Sequence, residues 1–496
     1  MILTLITYCS AQTLGSRQIR EVSGMRFCRP RQPGEACKIT HSPGIYPGRL
    51  TRFVLQPNFI TRMSSCHAPR TFFAWDLPER EHELVEYRYD TCKLKVRRER
   101  LVTFQPEAAK QPARHIKRRR FLGIGGGLVI GLAATVRPAL SGDSTGTPPE
   151  RQVEIAGLVK QFQRQYDVPG LSLAMSRGGN VLLDQGFGIA DQATGAAVTS
   201  RHRFRIASLS KPITSLAIFR LVDQGRLDLA TRVFDDSGPL ADLLVDLNLP
   251  DDACSFLRQI SIQHLLEHTV GTWGNKTRDP MFDKRAIEMN HRDLIRWTLK
   301  THRLREPPGH RFLYSNFGYC LLGRVLERIE KRPYEAVVQE LVLRPAGVKS
   351  MQLGANSPEK LAPGEVRYYG QQEDPFHNIM RVDRMDAHGG WIASPRELVT
   401  LMLHYDLFSA PGDLLRAETI RSMTLPSSAN PQYAKGWSVN SANNWWHIGS
   451  FNGSAGILVR TNDAWCWAML MNSRSHHEKF VADLDALPWK IRAVLE

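Results

Sequence analysis

The sequence predicts an α/β (α+β) fold in which an antiparallel sheet is packed between terminal helices and carries an inserted helical subdomain. Two strand pairs with tight turns predict the sheet: residues 171–176 with 181–186, and residues 455–460 with 465–472. Apolar residues at helical spacing predict the terminal helices, which are Ile155, Leu158, Val159, Phe162 and Tyr166 in one and Phe480, Val481, Leu484, Leu487 and Ile491 in the other. Because residues 210–425 are mostly helical in pattern, a helical lobe and a sheet lobe should meet at a cleft, and a functional site should lie there.

The positive charge of the chain is concentrated in its first part. The net charge is +16, but residues 1–120 hold 23 Lys+Arg against 10 Asp+Glu, whereas the remaining residues hold 42 against 39. A nearly neutral folded region argues against nucleic acid as its partner. We therefore expect a basic extension over residues 1–115, disordered or upstream of the true start, then an export-signal segment over 116–141 and a folded domain over 142–496.

Three short motifs occur in the folded region in a fixed order. They are Ser208-Leu209-Ser210-Lys211 after a strand-like run, Tyr314-Ser315-Asn316 at the start of a helix-like run, and His447-Ile448-Gly449 before a hairpin. A serine hydroxyl becomes a nucleophile when an adjacent base removes its proton, and residues three apart in a helix lie on one face. Lys211 can be that base for Ser208 if burial or a neighbouring cation lowers its pKa.

This order of motifs resembles the signature of serine β-lactamases and penicillin-binding proteins, and most closely their class C-like branch of esterases and D-amino-acid peptidases. Residues 260–271, Pro308-Gly309 and residues 388–394 also resemble family sequences. The resemblance implies a β-lactamase-like serine hydrolase domain over residues 142–496. It also implies two sets of site residues: the catalytic Ser208, Lys211 and Tyr314, and the substrate-binding Asn316, His447, Gly449 and Ser450.

The resemblance further implies a task for each residue. Asn316 would point its amide at the substrate, and the backbone N–H groups of Ser208 and Ser450 would form the oxyanion hole. Tyr314 would be a phenol that loses its proton more easily than in water, because a cationic Lys211 beside it would lower its pKa, and the two would titrate as a coupled pair.

The third motif begins with histidine where lysine is usual in β-lactamases. A histidine is mostly neutral at pH 7 and its side chain is shorter than that of lysine. Anionic β-lactams should therefore bind poorly, and His447 is expected to hydrogen bond the Ser208–Tyr314 network from its strand.

Together these residues predict an exported serine hydrolase that forms an acyl-enzyme at Ser208. The expected partner is a small-molecule or peptide substrate with an ester or amide bond; no metal, organic cofactor or nucleic acid is expected. Two alternatives stay open. One is a penicillin-binding D-alanyl peptidase or β-lactamase, and the other is a catalytically weak scaffold that keeps the fold and binds a partner.

Each motif residue also has a purely structural interpretation. Ser208 and Asn316 are residue types that cap helices, Lys211 is of a type that is usually solvated, and Tyr314 is of a type that packs in a core. His447, which follows two tryptophans, is also consistent with a buried, hydrogen-bonded histidine.

A rival site is the segment His264-Leu265-Leu266-Glu267-His268, which matches the inverted zinc-protease signature. Histidines four apart on a helix can share a zinc ion. However, Thr269-Val270-Gly271 ends this helix directly afterwards, and no acidic helix downstream stands out as the source of a third ligand. We therefore do not predict a metal site here.

Residues 117–141 resemble an export signal. Residues 117–123 contain the twin-arginine pattern Arg-Arg-x-Phe-Leu, an apolar run at 123–136 follows, and small residues at 138–141 offer a cleavage site. This segment predicts a periplasmic or secreted location with at most transient membrane contact; membrane anchoring through residues 121–136 and a nuclear-localisation-like basic run are the alternatives.

An export signal belongs at an N-terminus, whereas this one follows more than a hundred residues without a sustained hydrophobic period. One hypothesis is a later start, at Met63 or at a valine or leucine codon such as Val96 or Leu101. The alternative is a genuine basic arm over residues 1–110.

Overall fold

A computed structural model describes residues 148–275 and 279–496, and before them the backbone of four strands. The chain divides into two compact units, Met1–Ile130 and Gly131–Glu496. The predicted twin-arginine motif, apolar run and cleavage site lie outside the described residues.

In the first unit the strands form two antiparallel pairs, β1 with β2 and β3 with β4. They are β1 (Met25–Phe27), β2 (Ile39–His41), β3 (Glu83–Asp90) and β4 (Lys93–Arg100). None of these strands was predicted. The sequence of β3 does alternate apolar with charged residues from Val85 onward, and this period of two is the signal that could have located it.

The second unit is built on a seven-stranded antiparallel sheet in the order β11-β12-β13-β14-β5-β6-β7, beside a small sheet in the order β8-β10-β9. Both predicted hairpins are confirmed, as β5–β6 and β13–β14. The strands are β5 (Gly170–Arg177), β6 (Asn180–Asp191), β7 (Ala196–Ala197), β8 (Phe204–Arg205), β9 (Gln352–Leu353), β10 (Trp391–Ala393), β11 (Ser438–Val439), β12 (Trp445–Phe451), β13 (Ser454–Arg460) and β14 (Trp465–Met471).

Helices joined by long loops are the predominant regular elements between β7 and β11, where the sequence predicts a helical lobe. They and the terminal helices are α1 (Pro149–Tyr166), α2 (Ser210–Asp223), α3 (Asp251–Arg258), α4 (Ile262–Leu266), α5 (His291–Thr301), α6 (Asn316–Glu330), α7 (Tyr334–Val338), α8 (Pro395–Met402), α9 (Ala417–Thr424) and α10 (Phe480–Leu495). Within residues 148–275 and 279–496, no helix has both the length and the hydropathy needed to cross a membrane.

The two terminal helices pack on the same face of the sheet, which corrects the prediction that the sheet lies between them. Val159 of α1 and Leu484 of α10 share a core with Leu173 and Trp467 of the sheet. Helices α2 and α8 cover the opposite face. The reason is topological: α1 leads into β5, α10 follows β14, and these two strands are neighbours, so both helices fold back together. The sheet therefore lies between the terminal pair and the helical lobe.

Helix α2 is the element that joins the two lobes. Eleven of its fourteen residues are buried, as is typical of a helix enclosed on all sides. Its polar side chains are satisfied internally, since the Thr214 hydroxyl donates to the carbonyl of Ala387 and the Ser215 hydroxyl to that of Lys435, both at 2.6 Å. This packing holds the start of α2 rigidly at the junction of the lobes.

Candidate active site

Ser208 lies in a 3₁₀ turn (Ala207–Leu209) that connects β8 to α2. The preceding residue, Ala207, has a φ of 49°, a left-handed conformation that costs free energy for a residue with a Cβ. This strained turn presents the half-buried Ser208 side chain at the lobe junction. The strain, which the sequence did not reveal, marks the turn as a candidate functional feature.

Lys211 is fully buried in the first turn of α2 and has three polar neighbours. Its Nζ lies 3.1 Å from Ser208 Oγ, 2.7 Å from Asn316 Oδ1 and 3.0 Å from the carbonyl oxygen of His388. Burial lowers the pKa of Lys211 to about 7, although the negative charge of Asp279 acts in the opposite direction. This pKa makes a neutral amine available near neutral pH, as the sequence required of a base.

The donors and acceptors around Lys211 favour a particular arrangement of the neutral amine. Two of its three neighbours, Asn316 Oδ1 and the His388 carbonyl, can only accept hydrogen bonds. A neutral amine has two N–H groups for these acceptors and one lone pair, which is left for the hydroxyl of Ser208. The role of the His388 carbonyl could not be predicted from the sequence, because a backbone acceptor 177 residues away carries no side-chain signal.

Tyr314 contributes a neutral phenol to the same cluster. Its hydroxyl is hydrogen bonded to Ser208, and its ring centroid lies 4.7 Å from Lys211 Nζ. Burial raises the pKa of Tyr314 above the usual value, which corrects the expectation that Lys211 would lower it. The physical reason is that the expectation assumed a permanently charged Lys211, whereas burial favours the neutral form of both groups.

Asn316 is held on both sides rather than pointing freely into the cleft. Its Oδ1 accepts from Lys211, and its Nδ2 donates to Oδ2 of Asp279 at 2.8 Å. Ser315, not Asn316, is the N-cap of α6, because its side chain accepts from the N–H of Gly318. Asp279, whose pKa burial raises to about 6, was missed by the sequence because it belongs to no recognisable motif.

His447 is buried in β12 and both of its ring nitrogens are engaged. Its Nδ1 lies 2.8 Å from the carbonyl of Ile448 and therefore carries the proton, so Nε2 accepts from the Tyr433 hydroxyl at 3.3 Å. The predicted hydrogen bond to the Ser208–Tyr314 network is thus replaced by a contact between the rings of His447 and Tyr314, whose centroids lie 6.2 Å apart. Burial lowers the pKa of His447 to about 3, which agrees with the expected neutral state.

The network continues from Tyr433 to His268. The Nε2 of His268 lies 3.1 Å from the Tyr433 hydroxyl, and its Nδ1 accepts from the N–H of Ser315 at 3.1 Å. Its ring centroid lies 4.4 Å from that of Tyr314. The rings of His268, Tyr433 and His447 therefore pack around Tyr314. The sequence signal for this arrangement was the family-like segment 260–271, which contains His268.

Gly449 allows β12 to run directly beside the serine turn. A Cβ on Gly449 would lie 2.1 Å from the carbonyl oxygen of Ile206 and 3.2 Å from the backbone nitrogen of Ser208, so no larger residue fits. Ser450 follows on an exposed part of the strand edge, because β11 pairs only with Trp445 and Trp446. Strands β12 and β13 form a hairpin whose closing pair is Phe451 and Ser454. Because hydrogen-bonded and non-hydrogen-bonded pairs alternate along an antiparallel ladder, the N–H of Ser450 points away from β13. That edge runs alongside the N–H of Ser208.

The residues of the rival zinc signature are engaged separately. His264 accepts from the N–H of Ser261 at 3.2 Å as part of a helix cap, and Glu267 forms a buried ion pair with Lys435 at 2.9 Å. His268 belongs to the Tyr433 network described above. In the described ranges 148–275 and 279–496, no group of three or more His, Cys, Asp or Glu residues is arranged to hold a metal ion.

Comparison with known proteins identifies the family of the chain. Residues 155–487 match the family model described as β-lactamase. The chain belongs to the β-lactamase family. This membership confirms the predicted fold class.

Two curated relatives illustrate what the chain is similar to. The chain is 24% identical to Protein flp of Staphylococcus aureus (strain MW2) over 336 residues, 66% of this chain and 64% of that protein. It is 30% identical to Esterase EstB of Burkholderia gladioli over 240 residues, 46% of this chain and 58% of the esterase. The chain thus spans less than two thirds of the length of these relatives.

The fold is also shared with a solved structure. The D-amino acid amidase from Ochrobactrum anthropi SV3, in its complex with L-phenylalanine amide, aligns with a TM-score of 0.55 at 20% identity. The alignment covers 70% of this chain and 98% of the amidase. At this identity the likeness shows a common fold.

Proposed function

We propose that this protein is an exported serine hydrolase that forms an acyl-enzyme at Ser208 and acts on an uncharged ester or amide. One observation carries the proposal: Lys211 Nζ lies against Ser208 Oγ while its other two neighbours are obligate acceptors. This arrangement reserves the lone pair of the amine for the proton of Ser208. The 30% identity to an esterase further supports ester or amide chemistry.

The proposed reaction begins when neutral Lys211 removes the proton of Ser208 as its oxygen attacks the substrate carbonyl. The backbone N–H groups of Ser208 and Ser450 stabilise the oxyanion, and such donors typically contribute about 3–4 kcal/mol each to the transition state. Tyr314, a neutral phenol in contact with Ser208, passes a proton to the leaving alcohol or amine, and Lys211⁺ restores that proton. Water then hydrolyses the acyl-enzyme by the same proton transfers in reverse order.

The preference for an uncharged substrate follows from the charges beside β12. His447 is neutral, and Arg474, which donates to Ser450 Oγ at 3.3 Å, already forms an ion pair with Glu373. His476 contacts the other oxygen of the same carboxylate. A substrate carboxylate would therefore have to compete with Glu373 for Arg474, whereas an uncharged substrate would not.

Mass spectrometry of the intact protein tests the proposal. Exposure to a fluorophosphonate should add one adduct, located on the peptide that contains Ser208. Exposure to a penicillin under the same conditions should give little or no adduct. Absence of the fluorophosphonate adduct would favour the catalytically weak scaffold, and a long-lived penicillin adduct would favour a D-alanyl peptidase.

Substituting His447 with lysine should change the preference between substrates. A second cation near the cleft should raise acylation by an anionic penicillin relative to hydrolysis of an uncharged ester by about tenfold, the equivalent of ~1.4 kcal/mol. The measurement is the ratio of the two kcat/KM values at pH 7 and 8. His447→Gln is the matched control, since a neutral replacement should slow both substrates without changing their ratio. An unchanged ratio in His447→Lys, with the thermal unfolding midpoint retained, would show that His447 only packs against its neighbours.

Export is the second part of the proposal and is supported by the sequence of residues 117–141. Arg118→Lys combined with Arg119→Lys should hold the protein in the cytoplasm, because twin-arginine export requires the arginine pair rather than positive charge alone. Arg120→Lys, at the variable position of the pattern, is the control and should leave export unchanged. Cell fractionation and N-terminal sequencing measure the result, with a mature start expected near Ser141. Export of the double variant at the normal level would contradict the proposal.

A further inference from the structure

We infer that Asp279 is a positioning residue: its carboxylate determines which end of the Asn316 carboxamide faces Lys211, and so keeps the lone pair of Lys211 directed at Ser208. The inference rests on the proposed function, because it assigns Asp279 a task in the same acyl transfer. Asp279 is not expected to touch the reacting atoms itself.

The Asp279 carboxylate is oriented through both oxygens. Oδ1 accepts from the N–H of Met281 at 3.0 Å, where it caps the 3₁₀ turn Pro280–Phe282, and Oδ2 accepts from Asn316 Nδ2 at 2.8 Å. The backbone of Asn316 is also fixed, since its N–H donates to Asn275 Oδ1 at 3.2 Å. An ionised carboxylate can only accept hydrogen bonds, so only the amide nitrogen of Asn316 can face it. The carbonyl oxygen of the same group must then face Lys211 Nζ.

This orientation matters because the two ends of a carboxamide have nearly the same shape but opposite hydrogen-bonding character. If the group were turned by half a rotation, an N–H donor would lie against Lys211 Nζ in place of Oδ1. A neutral amine would accept that hydrogen bond with its lone pair, which would then be withdrawn from Ser208. The base would be misdirected although the fold had not changed.

The charge of Asp279 connects this orientation to pH. Burial raises the pKa of Asp279 to about 6, and its negative charge raises the pKa of Lys211. As the pH falls through about 6, the carboxyl gains a proton, becomes able to donate, and no longer selects the amide nitrogen. Among the described residues, Lys211 and Tyr314 interact with it electrostatically, and the other titratable or charged groups on adjoining segments are Asp283, Lys284, Arg285, Arg384 and His388.

Most of these neighbours are already committed to other partners. Asp283 is bonded to Arg285, whose guanidinium holds the pKa of Asp283 at about 2. Arg384 donates to the backbone carbonyls of Met281 and Met289. Burial lowers the pKa of His388 and raises that of Tyr314, so both are neutral. In the part of the chain that the structure describes, Lys211 is therefore the group whose titration is most directly coupled to that of Asp279.

The test compares variants by their rate of fluorophosphonate labelling and by kcat/KM for an uncharged nitrophenyl ester. Asp279→Ala should lower both about 10- to 100-fold at pH 8, the usual effect of losing one hydrogen bond to a charged group. In an Asn316→Ala background the same substitution should have little further effect, because the group it orients is absent. Asp283→Asn is the matched control on the same turn and should leave both rates unchanged.

Asp279→Asn separates orientation from charge. Its side-chain oxygen can still accept from Asn316, so the loss at pH 8 should be smaller than in Asp279→Ala. Without the carboxylate, the pKa of Lys211 should fall. The acid limb of the pH profile, in which kcat/KM decreases as the pH falls, should therefore move to lower pH. A merely structural role for Asp279 would not move this limb.

Two outcomes would overturn the inference. Unchanged rates in Asp279→Ala would show that Asn316 is oriented without Asp279. If Asp279→Ala lowered the rates as much in the Asn316→Ala background as in the wild type, Asp279 would instead be assigned to direct contact with substrate. The failure of the proposed function has a different signature, since wild-type protein would then not be labelled at Ser208 at all. Normal labelling of wild type with unaffected Asp279 variants would refute the inference alone.

Discussion

Ser208→Ala should abolish both turnover and fluorophosphonate labelling. The side chain that would carry the acyl group is lost, and the remaining members of the cluster cannot act without it, so we expect a loss in kcat of about 10⁶-fold, as for other residues that act as a unit. Steady-state hydrolysis of an uncharged ester and intact-mass analysis measure the two effects.

The matched control for this substitution is the second serine of the same motif. Ser210 is fully buried and its Oγ accepts from the N–H of Trp391 at 3.4 Å, away from Lys211 Nζ. Ser210→Ala should therefore remain labelled and active. The proposal would be refuted if the label were retained in Ser208→Ala and lost in Ser210→Ala.

Lys211→Met should lower kcat/KM by about 10⁴-fold or more, because it removes the base while filling the same buried space. The wild-type enzyme should also show an acid limb. Lys211, whose pKa is lowered to about 7, is protonated and unable to accept a proton below that pH, so kcat/KM should rise from pH 5 to 8 and then level off. The residual activity of Lys211→Met should lack this limb.

Lys211→Arg distinguishes a base from a permanent charge. Arginine stays protonated throughout the accessible pH range, so this variant should be as inactive as Lys211→Met at every pH. If Lys211→Arg instead retained activity near the wild-type level, the cluster would need a cation beside Ser208, and the assignment of Lys211 as the base would be wrong.

The sequence predicted the elements whose signals are local. The β5–β6 and β13–β14 hairpins follow from strand runs on either side of turn residues, and the terminal helices from apolar residues three and four apart. Strands β3 and β4 were missed because their alternation is short and rich in charged residues. The placement of α1 and α10 on one face was also missed, because helical periodicity shows which side of a helix is apolar but not which face of the sheet it covers.

The candidate site was likewise predicted only in part. Ser208 and Lys211 were paired correctly in space because they are separated by one helical turn, and the structure brings Tyr314, Asn316 and Gly449 to the same place. The ionisation of Tyr314 and the hydrogen bonds of His447 and Asn316 were not anticipated. These properties depend on which groups enclose a side chain and exclude water from it, and no motif encodes that enclosure.

By itself, the sequence determined the fold class, the order of the three motifs and the pairing of a serine with a lysine, because spacing along a helix or strand decides these. Only the tertiary structure decided the chemical state of the cluster. Lys211 meets Asn316 and the His388 carbonyl across separations of 105 and 177 residues, and Asp279 meets Asn316 across 37. Burial among these distant groups lowers the pKa of Lys211, keeps Tyr314 protonated and sets the orientation of a carboxamide. Such effects arise from solvent exclusion and from the direction of hydrogen bonds, which exist only once the lobes have packed together.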